Sequence, residues 1–284
     1  MAAQLPDLPS TQRLSERVVR VLGGNPSRFT LQGTNTYLVG TGPKRILIDT
    51  GEGKPVWAEA LRDVLWDEKI EVERVLLTHW HHDHIDGVPD LRSIAPQAII
   101  HKNQPKENWE DVQDGQEFEI EGATLRALHC PGHTTDHVAF VLQEEKAMFT
   151  GDNVLGHGTA VFEDLAAYMS SLQTMASAPG FSGRAYPGHG DVIEDGPAKV
   201  KEYYEHRLQR EKEALEVMRR RREDGGEGWG SMEMVKVIYA QYPEALHGPA
   251  EGSLRHVLRK LEGEGKVKEV GGKWNLVEGG KERL

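Results

Sequence analysis

Thr78-His79-Trp80-His81-His82-Asp83-His84 places four histidines and an aspartate within seven residues, directly after the apolar run Val75 to Leu77. Imidazole nitrogens and carboxylate oxygens are lone-pair donors suited to zinc and its first-row neighbours. The spacing says more than the count. His79, His81, Asp83 and His84 form H-x-H-x-D-H, and a loop leaving a strand end can aim two of these donors at one ion and two at another. Trp80 and His82 fill the intervening positions. A solvated histidine-rich turn is the plain alternative, but a spaced motif after a strand is far more specific than a biased tract.

The same arrangement recurs downstream. Pro131-Gly132-His133-Thr134, Thr150-Gly151-Asp152 and Tyr186-Pro187-Gly188-His189-Gly190 each set a single His or Asp beside glycine at the end of an apolar segment. Upstream, Arg45-Ile46-Leu47-Ile48-Asp49-Thr50-Gly51 does the same with Asp49. In this order the five motifs resemble those of the metallo-β-lactamase superfamily. The resemblance implies that His79, His81 and His133 ligate one cation, that Asp83, His84 and His189 ligate a second, and that Asp152 bridges them. It implies two Zn2+ ions, with manganese or iron also compatible with nitrogen and oxygen donors. Asp83 and Asp152 are then needed for catalysis. A cation-bound water can ionise near neutral pH, so no serine or cysteine nucleophile is required. Asp49 is expected to orient a ligand through a hydrogen bond instead of binding metal itself. His137 and His157 are candidates for the cleft wall.

Composition bounds the rest. The 284 residues suffice for one large α/β domain, or a medium domain with an appendage. No apolar run approaches the ~20 residues that span a bilayer, and Met1 to Ser10 lacks the apolar core of a secretory signal, so an intracellular, cytoplasmic location without membrane contact is expected. Cys130 is the only cysteine, which excludes intrachain disulfides and leaves packing as its expected role. Net charge is -11. Residues 1 to 198 hold 16 Lys/Arg against 29 Asp/Glu, a balance of -13, whereas residues 199 to 284 hold 18 against 16, or +2. An acidic catalytic region is a poor general surface for polyanions.

Taken in order, residues up to about Arg13 read as a polar lead-in that need not be ordered. Short β-branched runs at Val18 to Leu22, Thr36 to Val39 and Arg45 to Ile48 predict adjacent antiparallel strands, with Phe29 to Asn35 between the first two as a loop bordering a cleft or a plain connection. Pro55 to Trp66 has helical periodicity, Val72 to Leu77 is a buried strand, Gly87 to Ile94 looks helical and Ala98 to His101 strand-like. Glu117 to Leu128 predicts two strands about Glu121-Gly122, followed by strands at Val138 to Leu142, Ala147 to Phe149 and Arg184 to Tyr186. From Ala198 the texture changes to a charged helix reaching Glu223, broken by Asp224 to Gly230. A helix after Ser231, another over Ser253 to Leu261, and a hairpin at Val267 to Leu276 around Gly271-Gly272 resemble a small winged-helix unit. Its basic residues alternate with glutamates, which favours a structural module that covers the cleft or supports a homodimer over a nucleic-acid binder. Fold class is therefore α/β: the αββα sandwich of the metallo-β-lactamase superfamily over residues 1–197, then a long helix and a winged-helix-like domain over residues 198–284.

Arg20 to Pro26, Leu31 to Tyr37, Thr78 to His81 and Thr159 to Leu165, together with the helical tail, narrow the resemblance to the β-lactamase-like protein 2 group. Two activities accompany that group. Fungal members are thioesterases that release the acyl chain from the acyl carrier protein of non-reducing polyketide synthases; animal members are endoribonucleases selective for single-stranded RNA. The detailed fungal-type likeness and the acidic catalytic region favour the thioesterase, with the endoribonuclease as the alternative. Glyoxalase-II-like thioesterases share the metal motifs but fit the tail and the Leu31 to Tyr37 loop less well. One departure is Asp86-Gly87, where many members have Gly-Gly.

Overall fold

The computed structural model describes residues 5–106, 108–222 and 225–277. The first four residues of the lead-in, Glu223 and Asp224 lie outside that set. The chain divides into two compact units, one ending at Tyr203 and the other beginning at Tyr204.

In the first unit, a seven-stranded sheet is built from β1 (Thr11–Arg13), β2 (Val18–Leu22), β3 (Asn35–Val39) and β4 (Lys44–Ile48), then, after helix α1 (Pro55–Glu68), from β5 (Glu71–Leu77). Two short helices follow, α2 (His82–Ile85) and α3 (Val88–Ile94), and β6 (Ile99–Lys102) and β7 (Glu110–Asp111) complete the sheet in sequence order. Strands β1 to β4 pair antiparallel; β4 to β7 pair parallel. The second sheet holds β8 (Glu117–Ile120), β9 (Ala123–His129), β10 (Val138–Leu142), β11 (Ala147–Gly151) and, after α4 (Leu165–Ala176), β12 (Ala185–Pro187). All its pairings are antiparallel except β11 with β12.

Alternation along the strands explains the layers. In β4, Ile46 and Ile48 join the core shared with Phe118, Leu125, Phe140 and Phe149 of the second sheet, while Leu47 joins Trp57 and Leu61 of α1 and Leu91 of α3. A strand buried on both faces reads as an unbroken apolar run, which is why Ile46 to Ile48 and Val75 to Leu77 show no polar alternation. Helices α1 and α3 thus cover the outer face of the first sheet. Helix α4 is tied to loops of the second, Tyr168 donating to Asn153 O (2.5 Å) and Ser171 to Pro131 O (2.6 Å). The result is an αββα sandwich.

Helix α5 (Gly196–Arg219) runs from the first unit into the second. The second unit continues with α6 (Ser231–Ile238), α7 (His247–Gly263) and the antiparallel hairpin β13 (Val267–Val270) and β14 (Lys273–Leu276). Trp229 and Trp274 exchange backbone hydrogen bonds of 2.9 and 2.8 Å, adding a third segment to the hairpin. Leu254, Val257, Leu258 and Leu261 of α7 are buried, as their spacing requires.

Four differences from the sequence expectation stand out. The lead-in contributes an edge strand at Thr11–Arg13, β7 forms at Glu110–Asp111, α4 forms over Leu165–Ala176, and α7 begins six residues before Ser253. Proline suits a first helical turn, so Gly248-Pro249 opens α7 instead of breaking it. Helix α5 starts two residues before Ala198 and ends at Arg219, short of Glu223. As for Asp86-Gly87, Asp86 has φ -71 and needs no glycine. The next position does: a Cβ on Gly87 would lie 1.9 Å from Thr50 O.

Replacing Gly87 by alanine is expected to lower unfolding stability by about 1–3 kcal/mol through overpacking, whereas Gly252→Ala, in the open middle of α7, should raise it by about 0.5–1 kcal/mol. Urea denaturation of the two variants checks both signs.

Candidate metal centre

Every strand-end motif converges on one edge of the sandwich. Asp49 follows β4, His79 and His81 follow β5, and Asp83 and His84 sit in α2. His133 lies between β9 and β10, Asp152 directly follows β11, and His189 comes two residues after β12. Parallel pairing of β4 with β5, and of β11 with β12, brings those carboxyl ends together. Two donor groups result, His79-His81-His133-Asp152 and Asp83-His84-His189, the donor atoms within each lying within 4.8 Å of one another. All are buried except His81, which is half-buried.

In the first group, His79 Nε2, His81 Nδ1 and His133 Nε2 form a triangle with sides of 3.0, 3.0 and 3.2 Å. For a tetrahedral ion with M–N bonds of about 2.0 Å, the donor-donor edge is about 3.3 Å. Hydrogen bonding cannot account for the triangle. His133 Nδ1–H donates to Val161 O at 2.8 Å, which leaves Nε2 as a lone pair. The Thr78 hydroxyl spends its proton on the Asp49 carboxylate (2.9 Å), so Thr78 Oγ1 accepts from His79 Nδ1–H (2.9 Å) and His79 Nε2 also carries a lone pair. One hydrogen at most, on His81, serves three contacts. Burial, reinforced by neighbouring imidazoles, holds His79 neutral and pushes His81 down to about 4.

The second group is built around carboxylates. His189 Nε2 lies 3.2 Å from both Asp83 Oδ2 and Asp152 Oδ2, and His84 Nε2 lies 3.4 Å from Asp83 Oδ2 and Asp152 Oδ1. Asp152 also reaches back to His133 Nε2 at 3.7 Å, giving it a place in both groups. Burial opposes charge on His84 and His189, yet the carboxylates outweigh it: Asp152 leads in raising both, holding His84 well above the usual imidazole value and His189 at about 9. Burial likewise opposes ionisation of Asp83 and Asp152, and the imidazoles override it to hold both carboxyls low. Among the described residues Asp152 Oδ1 is buried without a hydrogen-bond partner. The first group turns lone pairs toward one another, and in the second divalent cations would take the place of the protons on His84 and His189, so the donor set fits two divalent cations.

Asp49 ties the groups together. Its backbone is left-handed, φ +58. Its carboxylate accepts from Thr78 N (2.8 Å), from Thr78 Oγ1 and from His84 Nδ1 (2.8 Å). Through Thr78 it sets the tautomer of His79 and turns that lone pair toward the site, and directly it orients the His84 ring so that Nε2 faces Asp83 and Asp152. Other supports lie in the Leu31 to Tyr37 stretch, which carried the resemblance without being assigned a role in the centre. Thr34 Oγ1 donates to Asp83 Oδ2 (3.1 Å), while Asn35 Nδ2 and Tyr37 OH donate to Pro187 O (2.9 and 2.7 Å), clamping the His189 loop. His137 is buried and accepts from Asp152 N (3.1 Å), so it supports Asp152 and does not line the cleft. Asp136, beside it, is buried in an ion pair with Lys102. His157 is exposed on the cleft, and Cys130 is buried packing whose thiol burial pushes up. At Gly188 a Cβ would meet Asp152 Oδ1 at 2.3 Å, so only glycine fits.

Over residues 29–112 and 100–189 the sequence matches the family described as Metallo-beta-lactamase superfamily. This chain belongs to that superfamily. With the donor groups above, it is a metal-dependent hydrolase. Residues 230–274 match the Beta-lactamase associated winged helix domain, in line with the helices and hairpin of the second unit. An "Atrochrysone carboxyl ACP thioesterase" from Aspergillus chevalieri is 49% identical over 93% of this chain and 87% of its own length. "Lactamase-like protein adaB" from Aspergillus niger is 47% identical over 93% and 86%. Among solved structures, a Beta-lactamase domain protein from Burkholderia ambifaria superposes with a TM-score of 0.77 at 17% identity, covering 97% of this chain and 96% of its own, a likeness of fold alone. Among the described residues no helix is long and apolar enough to cross a membrane.

Asp49→Asn would present an amide N–H to at least one of three donors. Metal affinity, measured by chelator competition, is expected to fall about 10–100-fold; unchanged affinity would remove Asp49 from the account.

Proposed function

We propose that this chain is a thioesterase that releases the acyl chain from the acyl carrier protein of a non-reducing polyketide synthase, and that it acts alongside that synthase in the cytoplasm. The observation that carries the reading is the 49% identity to a carrier-protein thioesterase along nearly the whole of both chains. In this reading His79, His81 and His133 hold one cation, Asp83, His84 and His189 hold the other, and Asp152 spans them. We assign zinc, for which these nitrogen and oxygen donors are well suited; manganese or iron would serve the same donors.

Divalent cations held there supply Lewis acidity and lower the pKa of water toward neutrality. The protein's own contribution is positional. Neutral imidazoles on the His79 side offer lone pairs, and the ionised Asp83 and Asp152 offset cation charge. Water adds to the thioester carbonyl carbon and gives up a proton to solvent, the C–S bond breaks, the acyl group leaves as the free acid and sulfur leaves as thiolate. A thiol of pKa about 8.5 needs little help in leaving, so this reading requires no dedicated acid. Cleaving RNA would require a groove that neutralises several phosphates, and the -13 balance of residues 1 to 198 opposes that.

The test offers zinc-loaded protein a carrier-bound aryl thioester and a short single-stranded RNA. Loss of the thioester with intact RNA is the expected outcome; cut RNA with an intact thioester would make the chain an endoribonuclease instead. Asp152→Ala should lower kcat/KM by at least roughly a hundredfold, and retained turnover would place the chemistry elsewhere.

A further inference from the structure

Large apolar side chains are costly to leave in water, and three of those left exposed line a single cleft beside the metal centre. Phe29 is 73% exposed, Val161 64% and Trp80 44%. The cleft measures about 680 Å³ and also includes His81, Asp83, His133, Asp152 and His189. Apolar surface rimming a reactive centre marks a binding subsite.

None of the three sits on a loosely held loop. Phe29 belongs to a turn in which Ser27 Oγ accepts from both Phe29 N and Thr30 N (3.1 Å each), and Ser27 N donates to Leu31 O (3.2 Å). Asn25 Oδ1 then accepts from Thr34 N (2.8 Å), and Thr34 is the residue that donates to Asp83. Val161 offers its carbonyl to His133 Nδ1. Trp80 stands between His79 and His81, its ring edge-on to His81 at 4.6 Å. Each apolar wall is therefore tied to a donor of the metal centre, Trp80 and Val161 through their own backbone and Phe29 through the hydrogen bonds of its turn. The Arg28 guanidinium lies over the Phe29 ring at 5.5 Å, occupying one face and leaving the other to a ligand.

Resting on the thioesterase reading, we propose that Phe29, Trp80 and Val161 form the acyl subsite and select a flat aromatic acyl group over a flexible aliphatic one. Rigid rings reward a planar ligand with stacking or edge contacts, and a planar ligand surrenders few rotamers on binding. A nucleobase is flat as well, but it arrives with phosphates that the acidic first unit does not attract.

The test uses the full zinc-loaded chain with 2-naphthoyl and decanoyl thioesters of pantetheine, which differ in planarity and not in apolar bulk, and reads the ratio of their kcat/KM values. Wild type should favour naphthoyl. Phe29→Ala and Val161→Ala should each reduce that preference about tenfold, mainly through KM, while Trp66→Ala, at an exposed tryptophan outside the cleft, should leave it in place. A preference within twofold of wild type in both cleft variants overturns the subsite. Binding of 2-naphthoate, followed by tryptophan fluorescence, separates this inference from the reading beneath it. If wild type hydrolyses neither thioester yet Phe29→Ala weakens naphthoate binding about tenfold, the thioesterase reading fails and the aromatic subsite stands. Naphthoate binding indifferent to Phe29→Ala, or a pyrimidine oligonucleotide that binds more tightly than naphthoate and loses affinity in the same variant, overturns the subsite.

Discussion

The Asp49 carboxylate is the contact on which the rest of the centre depends. It accepts hydrogen bonds from Thr78 and from His84 Nδ1, and through the Thr78 hydroxyl it governs His79. One buried carboxylate thereby decides where the protons of two histidines sit, one in each donor group. Without it, neither imidazole would be obliged to turn its Nε2 inward. A left-handed backbone at Asp49 is what lets β4 end and the carboxylate turn back toward β5.

Such a centre is unfavourable to build. Three buried aspartates and five imidazoles lie in a low-dielectric pocket, where charges and lone pairs repel unless compensated. The sandwich supplies the stability that holds them. Two sheets share an apolar core, and the outer helices cover residues that alternate with it. Parallel strand pairs deliver their loops to a common edge, and β3 links the two sides: Thr34 holds Asp83, while Asn35 and Tyr37 hold the loop of His189. Divalent cations held there would complete the compensation, and folding would then be linked to metal loading.

Much of this was legible in the amino acids. H-x-H-x-D-H after an apolar run, and a lone His or Asp beside glycine at later strand ends, are local patterns, and all seven donors converge in space. Strand positions followed from β-branched runs bounded by glycine. Apart from helix α4, what escaped was either too short or non-local. Strands β1 and β7 span three and two residues, too few for alternation to register, and they exist because an edge partner is available. Helix α4 was readable: Asp164 caps Ala167 N, and Leu165, Tyr168, Met169, Leu172 and Met175 repeat at helical spacing. Thr34, Thr78 and the Val161 carbonyl act only through three-dimensional proximity, and no residue type marks a threonine as the relay between a carboxylate and an imidazole. His137 and His157 look alike in sequence, yet one is buried behind Asp152 and the other is exposed at the cleft, a difference decided by which loop each leaves.

The central claim is that these seven side chains hold two cations at once. Elemental analysis of fully active, extensively dialysed protein tests it most directly. Two metal ions per chain are predicted, falling to one or fewer in Asp152→Ala, the residue placed in both groups. Full activity with no bound metal, or with a single ion that Asp152→Ala leaves undisturbed, would contradict the account.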